Sequence, residues 1–157
     1  MRIGRPIIKG NRVKRAYISI LICLLLSLAA CQSKSAYPWP LVESTCTIHN
    51  TDVSLSIVGD YLTQEEVLLC IENHSTEEIA YGRAYVLQIV DEGKWYDIDV
   101  RADWPADACL VAPGQRDSRP IDWSQIYGEL PKGCYRIVQE YRKASETYFS
   151  AYPFAIE

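Results

Sequence analysis

The 157-residue sequence predicts an all-β fold, an antiparallel β-sandwich of about seven strands. Three observations predict it. From Asp52 onward the apolar residues recur mostly at period two, the spacing of a strand with one buried face. Turn-forming residues interrupt these runs every ~8–12 residues, and no stretch carries the period of a long helix. Eleven Tyr and four Trp add side chains that favour pleated surfaces and leave a polar tip at the edge of a core.

The elements follow in order. Val53, Leu55 and Ile57 alternate with Ser54, Ser56 and Val58, and Gly59-Asp60 closes the run. Val67, Leu69 and Ile71 share one face of the next strand, which ends at the turn composition Asn73-His74-Ser75-Thr76. Arg83–Val90 places Tyr85, Leu87 and Ile89 together, and Asp91-Glu92-Gly93-Lys94 forms a hairpin turn into Trp95–Val100, because Gly93 accepts positive φ without a Cβ penalty. Residues 102–108 read as a loop, Cys109–Val111 as a short strand, Ser118–Trp123 as another, and Ser124–Tyr127 as one helical turn. Leu130-Pro131-Lys132-Gly133 then turns the chain into Cys134–Glu140, and a polar connection at 143–146 leads to the last strand, Thr147–Ile156.

Ahead of this domain lies a leader. Arg2, Arg5, Lys9, Arg12, Lys14 and Arg15 stand without an acid among them, and Ala16–Leu28 is almost wholly apolar, the build of a secretory signal. The apolar run is shorter than the ~20 residues that span a bilayer as a helix. It ends in Leu28, Ala29, Ala30 and Cys31, which resemble the lipobox of bacterial lipoproteins: an aliphatic residue, two small residues and a cysteine. The resemblance implies that the Cys31 thiol receives diacylglycerol and that the bond before it is cut, making Cys31 the first residue of the mature chain. Small side chains admit a peptidase to the backbone, and a thiol is a good nucleophile once deprotonated. The competing reading is an ordinary signal peptide cut after Ala30. On the lipoprotein reading residues 1–30 are the signal, 31–51 the lipidated N-terminus and tether, and 52–157 the domain. The polar, proline-bearing stretch Gln32–Pro40 is read as the tether.

Removal of the leader changes the charge. Six of the 16 basic residues and none of the 20 acidic ones lie in it, so the mature chain carries ten against twenty, near −10 rather than −4. Such a balance disfavours nucleic acid and adhesion to anionic lipid by charge, both of which reward clustered Lys and Arg.

Within the domain the order of several small motifs is similar to the immunoglobulin-like domain of exported and lipid-anchored proteins of Gram-positive bacteria. They are Glu72-Asn73 closing a strand, Tyr81-Gly82, Gly93-Lys94-Trp95-Tyr96, Pro113-Gly114, Asp122-Trp123, Tyr127-Gly128, Leu130-Pro131-Lys132-Gly133 before Tyr135-Arg136-Ile137, and Phe154. The resemblance implies an immunoglobulin-like fold and a surface location, and it carries no catalytic set. Gly133 followed by Tyr135 at a strand start resembles a tyrosine corner, and Trp95 and Trp123 are read as core or edge packing.

Four cysteines remain beyond the leader, and an exported compartment favours their oxidation. An antibody-like pairing of Cys70 with Cys134 conflicts with alternation, which points both away from the core on opposite sheets, beyond the ~4.4–6.8 Å Cα separation a disulfide needs. The preferred pairing is Cys46 with Cys70 and Cys109 with Cys134; free thiols are the alternative.

No catalytic framework accompanies the two histidines, His49 and His74, and no phosphate-binding glycine loop is present. Asp97, Asp99, Asp103 and Asp107 gather oxygen donors, but without the glycine-bearing loop of a calcium site. Tyr37, Trp39 and Tyr81 could form an exposed aromatic patch for a partner, yet scattered surface aromatics need no such explanation. The expected function is therefore a lipid-anchored binding or structural module of the cell envelope, not an enzyme, with no metal and no cofactor beyond the diacylglycerol on Cys31. Its partners are the membrane, through the anchor, and an envelope protein or glycan, and not nucleic acid. An accessory or sensory subunit of an envelope enzyme is the alternative, and a small envelope hydrolase a more distant one.

Overall fold

The computed structural model describes residues 37–157, and the leader, the lipobox residues Leu28, Ala29, Ala30 and Cys31, and the first part of the tether lie outside them. Ten strands and one helical turn follow: β1 Leu41–Glu43, β2 Val53–Leu62, β3 Glu66–Asn73, β4 Ile79–Gly82, β5 Val86–Asp91, β6 Lys94–Ile98, β7 Ala108–Val111, β8 Arg116–Asp122, α1 Ser124–Tyr127, β9 Gly133–Lys143 and β10 Glu146–Ile156. All strand pairs are antiparallel. One sheet runs β2-β3-β8; the other runs β1-β6-β5-β9, continues through β4 to β7, and carries β10 on the far edge of β9. β9 is long enough to hold β5 with Tyr135–Val138 and β4 with Tyr141–Lys143 along one edge.

The all-β sandwich expected from periodicity is what forms, with strands added where the pattern is too short to read. β1 is three residues long and pairs with β6, and its ladder is extended by Ser44 N–H to Trp95 O at 2.9 Å and Asp99 N–H to Pro40 O at 3.0 Å. The described residues from Pro40 to Ser44 are thus paired with the sandwich. Trp39 is buried and donates its Nε1–H to Tyr127 O at 2.8 Å. Gly59 does not end β2. At φ +60° it sits in an irregularity between Ile57 and Leu62 across which β2 continues, the behaviour of a β-bulge.

Two of the hairpins illustrate why these residues turn where they do. Glu92 and Gly93 both have positive φ, 47° and 79°, the pair of conformations a two-residue type I′ turn requires, and Asp91 opposes Lys94 across it. β9 and β10 pair along eleven residues each and are joined through Ala144, at φ 55°.

The core lies between the sheets. Val53, Leu55, Val67, Leu69 and Ile71 from one meet Ile79, Leu87, Ile89, Tyr135, Ile137 and Tyr141 from the other. Trp123 fills one end, fully buried, with its Nε1–H on Gln64 O at 2.9 Å and its ring stacked on Phe154 at 5.4 Å. Tyr135 donates to Pro131 O at 2.7 Å, the bond of a tyrosine corner. Asn73 closes β3 with both ends of its amide. Nδ2 donates to Glu77 O and Val111 O at 2.8 Å each, and Oδ1 accepts from Ser75 N–H at 2.9 Å.

Burial of these phenols has a consequence in alkali. It raises Tyr81, Tyr85, Tyr127 and Tyr141 above the ordinary phenol value of 10.0 and pushes Tyr135 up to about 12. A folded pKa above the unfolded one contributes stability that is complete below about 10 and is lost as pH rises through the folded value. Stability is therefore expected to fall steeply between about pH 10 and 12, with the phenolate absorbance of the buried tyrosines appearing together with unfolding. Phenolate absorbance rising fully while far-UV circular dichroism stays native would contradict it.

Candidate functional site

Three hollows, of about 580, 360 and 230 Å³, are all bordered by Tyr85 and Trp104. Tyr85 is held in phase with Leu87 and Ile89, so its ring enters the space between the sheets, and Trp104 comes from the strand-free segment 99–107 to meet it edge-on at 4.9 Å. Tyr127 from α1 lies 6.2 Å from the Tyr85 ring.

The largest hollow opens on the outer face of the β5–β6–β9 sheet, beneath the segment 44–50 that crosses it. This segment is fastened by named bonds: Gln88 Nε2–H to Ser44 Oγ at 2.7 Å, His49 N–H to Phe149 O at 2.6 Å, and Ala151 N–H to Asn50 Oδ1 at 2.9 Å. Gln88 is buried and fully satisfied, since Nε2 also donates to Asp97 Oδ1 at 2.5 Å and Oε1 accepts from Arg136 Nε–H. Arg136 in turn lies 4.4 Å above the Trp95 ring, so Trp95 packs on the outer face and not in the core.

Cys46 and His49 both line this hollow, but they do not form a nucleophile and base. Burial pushes the Cys46 thiol up, Arg136 notwithstanding, and its sulfur lies 4.0 Å from Thr47 O. A thiol kept protonated is a poor nucleophile. The His49 ring instead meets Tyr148 edge-on at 5.7 Å.

The second hollow lies at the mouth of the sandwich, among β4, β7 and β8. Here β8 turns polar residues inward: Asp117, Arg119 and Ile121 oppose Ile71, Leu69 and Val67 on the core face of β3. Tyr81 donates to Asp117 Oδ2 at 2.5 Å, and Arg119 stands 5.3 Å over the Tyr81 ring. Arg119 donates to Gly82 O, Arg83 O and Gln139 Oε1 at 3.3, 3.2 and 2.8 Å. Gln139, fully buried, also reaches Ala84 O at 3.0 Å. The carbonyl of Gly82 is thus a junction, accepting from both Arg119 and Gln139.

The remaining sequence-predicted residues are dispersed. All four described cysteines are free. Cys46 lies on the outer face of one sheet and Cys70, between Ser56 and Ser118, on the outer face of the other. The expected Cys46–Cys70 disulfide would have to cross the sandwich. Cys109 faces inward beside Tyr81 whereas Cys134 is exposed opposite Ala155, so the Cys109–Cys134 bridge does not form either. Alternation gives the side of the sheet each cysteine occupies but not which sheet residues 44–50 cross. Tyr37, Trp39 and Tyr81 make no surface patch, because Trp39 and Tyr81 are buried. The four acids do not converge: Asp97 binds Gln88 and Asp107 binds Arg83 at 2.6 Å. Among the described residues no group of three or more His, Cys, Asp or Glu could hold a metal. Gly128 caps α1 at φ 73°, its N–H on Ser124 O, and Gly133 leaves room for the Tyr135 ring, which a Cβ would meet at 3.3 Å.

Comparison with known proteins decides the family. The family model of the bacterial Ig-like domain matches residues 49–154. The chain belongs to that family. Bacterial Ig-like domains are structural or binding modules and are generally non-catalytic. Among solved structures, the chain is similar to the X-ray structure of a target of the Northeast Structural Genomics Consortium, at 12% identity and a TM-score of 0.44, covering 69% of this chain and 88% of that one. No curated protein matches the chain. The residues missed by sequence reasoning in this Ig-like domain are Tyr85, Trp104, Arg119 and Gln139. One signal was available: Asp117 and Arg119 stand in phase with Ile121, so a core-facing strand carries two charges.

Proposed function

We propose that the protein is an exported, lipid-anchored module of the cell envelope that binds a partner protein or glycan through the Tyr85–Trp104 end of its Ig-like sandwich and catalyses nothing. The observation that carries the reading is Leu28-Ala29-Ala30-Cys31 at the end of a basic, then apolar leader, because that arrangement has no use in a protein that stays inside the cell. Membership of the bacterial Ig-like family supports export and a binding or structural role. The concave hollows supply the surface: pockets of ~300–1,000 Å³ walled by aromatic side chains with a few placed polar groups are the usual form of a ligand site.

The test is affinity purification of the full-length protein from its own detergent-solubilised membranes, alongside Trp104→Ala and Cys31→Ser. An envelope component retained by the parent chain, reduced by at least about tenfold in Trp104→Ala, supports the reading. A component retained equally by both would place recognition elsewhere and overturn it. Recovery of a membrane enzyme whose activity changes on binding would favour the accessory-subunit alternative.

A further inference from the structure

We infer that the hollow between β4, β7 and β8 is a binding site for a small carboxylate on an apolar stem, with Arg119 and Tyr85 as the groups that take the carboxylate. The inference rests on the reading of this domain as a binding module and names the chemistry of one of its sites.

Two buried polar atoms in the molecule lack any hydrogen-bond partner among the described residues, Tyr85 Oη and Arg119 Nε, and both residues line this one hollow of about 360 Å³. Tyr85 is only 6% exposed. Buried polar groups are nearly always paired, so two orphans on one cavity mark a missing acceptor rather than two independent accidents. Among the described residues Arg119 makes no ion pair; its bonds go to neutral oxygens of Gly82, Arg83 and Gln139. Burial disfavours its charged form, yet a guanidinium remains protonated in proteins, so its unbonded Nε–H is a charged donor at the wall of this hollow.

The nearby acids are otherwise engaged. Asp117 accepts the Tyr81 hydroxyl, and exposed Asp122 accepts the hydroxyl and N–H of Ser124 at 2.6 and 2.9 Å. Arg83 on the rim is paired with Asp107. Two donors, one N–H and one O–H, suit the two oxygens of a carboxylate. The Tyr85 phenol is held protonated by burial and so remains a donor. Asp117 and Asp122 border the same space, so a singly charged carboxylate meets less repulsion there than a phosphate dianion. Trp104, Pro120 and Ile121 supply apolar wall for the stem. Both orphan atoms are shielded from solvent, so entry requires an opening. Beyond Asp99, whose N–H is held by Pro40 O, the segment that lays Trp104 on Tyr85 carries no strand.

The experiment follows the Arg119 Nε–H signal by nuclear magnetic resonance in the full-length lipoprotein in detergent micelles, with arginine labelled with nitrogen-15 and the signal assigned by its loss in Arg119→Lys. The probes are N-acetyl-phenylalanine and its methyl ester. The acid is expected to move the signal downfield in a saturable way and the ester to bind at least tenfold more weakly. Tyr85→Phe removes a hydroxyl that has no partner to lose, so it is expected to leave stability unchanged or raise it while weakening the acid about tenfold. A short peptide ending in phenylalanine, free or amidated at its C-terminus, distinguishes a peptide terminus from a free small acid as the source. Equal binding of acid and ester, an unmoved Arg119 signal at millimolar acid, or unchanged affinity in Tyr85→Phe would each overturn the inference and leave an occluded water as the partner of the two atoms. The titration involves no envelope component, so its failure is distinct from failure of the purification that tests the module itself.

Discussion

Replacing Cys31 with serine is expected to abolish incorporation of labelled fatty acid into the protein and to stop removal of residues 1–30. The reaction needs a nucleophile that ionises within reach of neutral pH, which a thiol does and a serine hydroxyl does not. The effect should be from full labelling to background, because Cys31 is the cysteine that follows the small residues Ala29 and Ala30. On the proposed reading, anchoring depends on it. A pair of acyl chains buries many methylenes at ~0.8 kcal/mol each, which makes binding stable where a single chain is marginal. The domain adds no electrostatic hold of its own, since the chain beyond residue 30 carries ten basic against twenty acidic residues. Labelling that persists at the parent level in Cys31→Ser would contradict the assignment of the lipid to this residue.

Replacing Trp123 with alanine is expected to cost about 4 kcal/mol, a large fraction of the 5–15 kcal/mol that holds a typical domain folded. Three losses combine. The fully buried indole leaves a cavity at the end of the core, its stacking on Phe154 at 5.4 Å disappears, and Gln64 O loses the Nε1–H that satisfies it at 2.9 Å. Phe154 also stacks on Tyr135, so the cavity opens beside the tyrosine corner. Trp123→Phe keeps much of the volume and should cost about half as much, because the hydrogen bond and part of the packing go but the ring remains. Urea unfolding measures both, as a shift of the midpoint at constant slope. A midpoint for Trp123→Ala within a few tenths of a molar of the parent would contradict the packing described.

Particular residues show what the chain reveals before it folds. The hairpin at Asp91–Lys94 was legible because Gly93 states its conformational need in the sequence, and β3 was legible because Val67, Leu69 and Ile71 alternate cleanly. β1 and β4 were not, since three and four residues are too few to display a period. β2 was cut short at Gly59 because a glycine that bulges a strand and one that ends it look alike. Trp39 sits among prolines and small polar residues, a tether by composition, yet a buried indole whose N–H finds Tyr127 O is enough to fasten it. The cysteine pairing failed for a non-local reason: which sheet residues 44–50 cross is set by the bonds of Ser44, His49 and Asn50 to β5 and β10, not by anything near Cys46. The site was legible only in part. Tyr81 and Gly82 stood out as motif residues, but their partners Asp117, Arg119 and Gln139 are 36, 37 and 57 residues away along the chain.

Mass spectrometry of the intact protein extracted from its native membrane tests the central claim most directly. The account predicts a chain that begins at Cys31, lacks residues 1–30 and carries diacylglycerol on the Cys31 sulfur. A chain that retains its leader, or one that begins elsewhere with Cys31 as a free thiol, would contradict it.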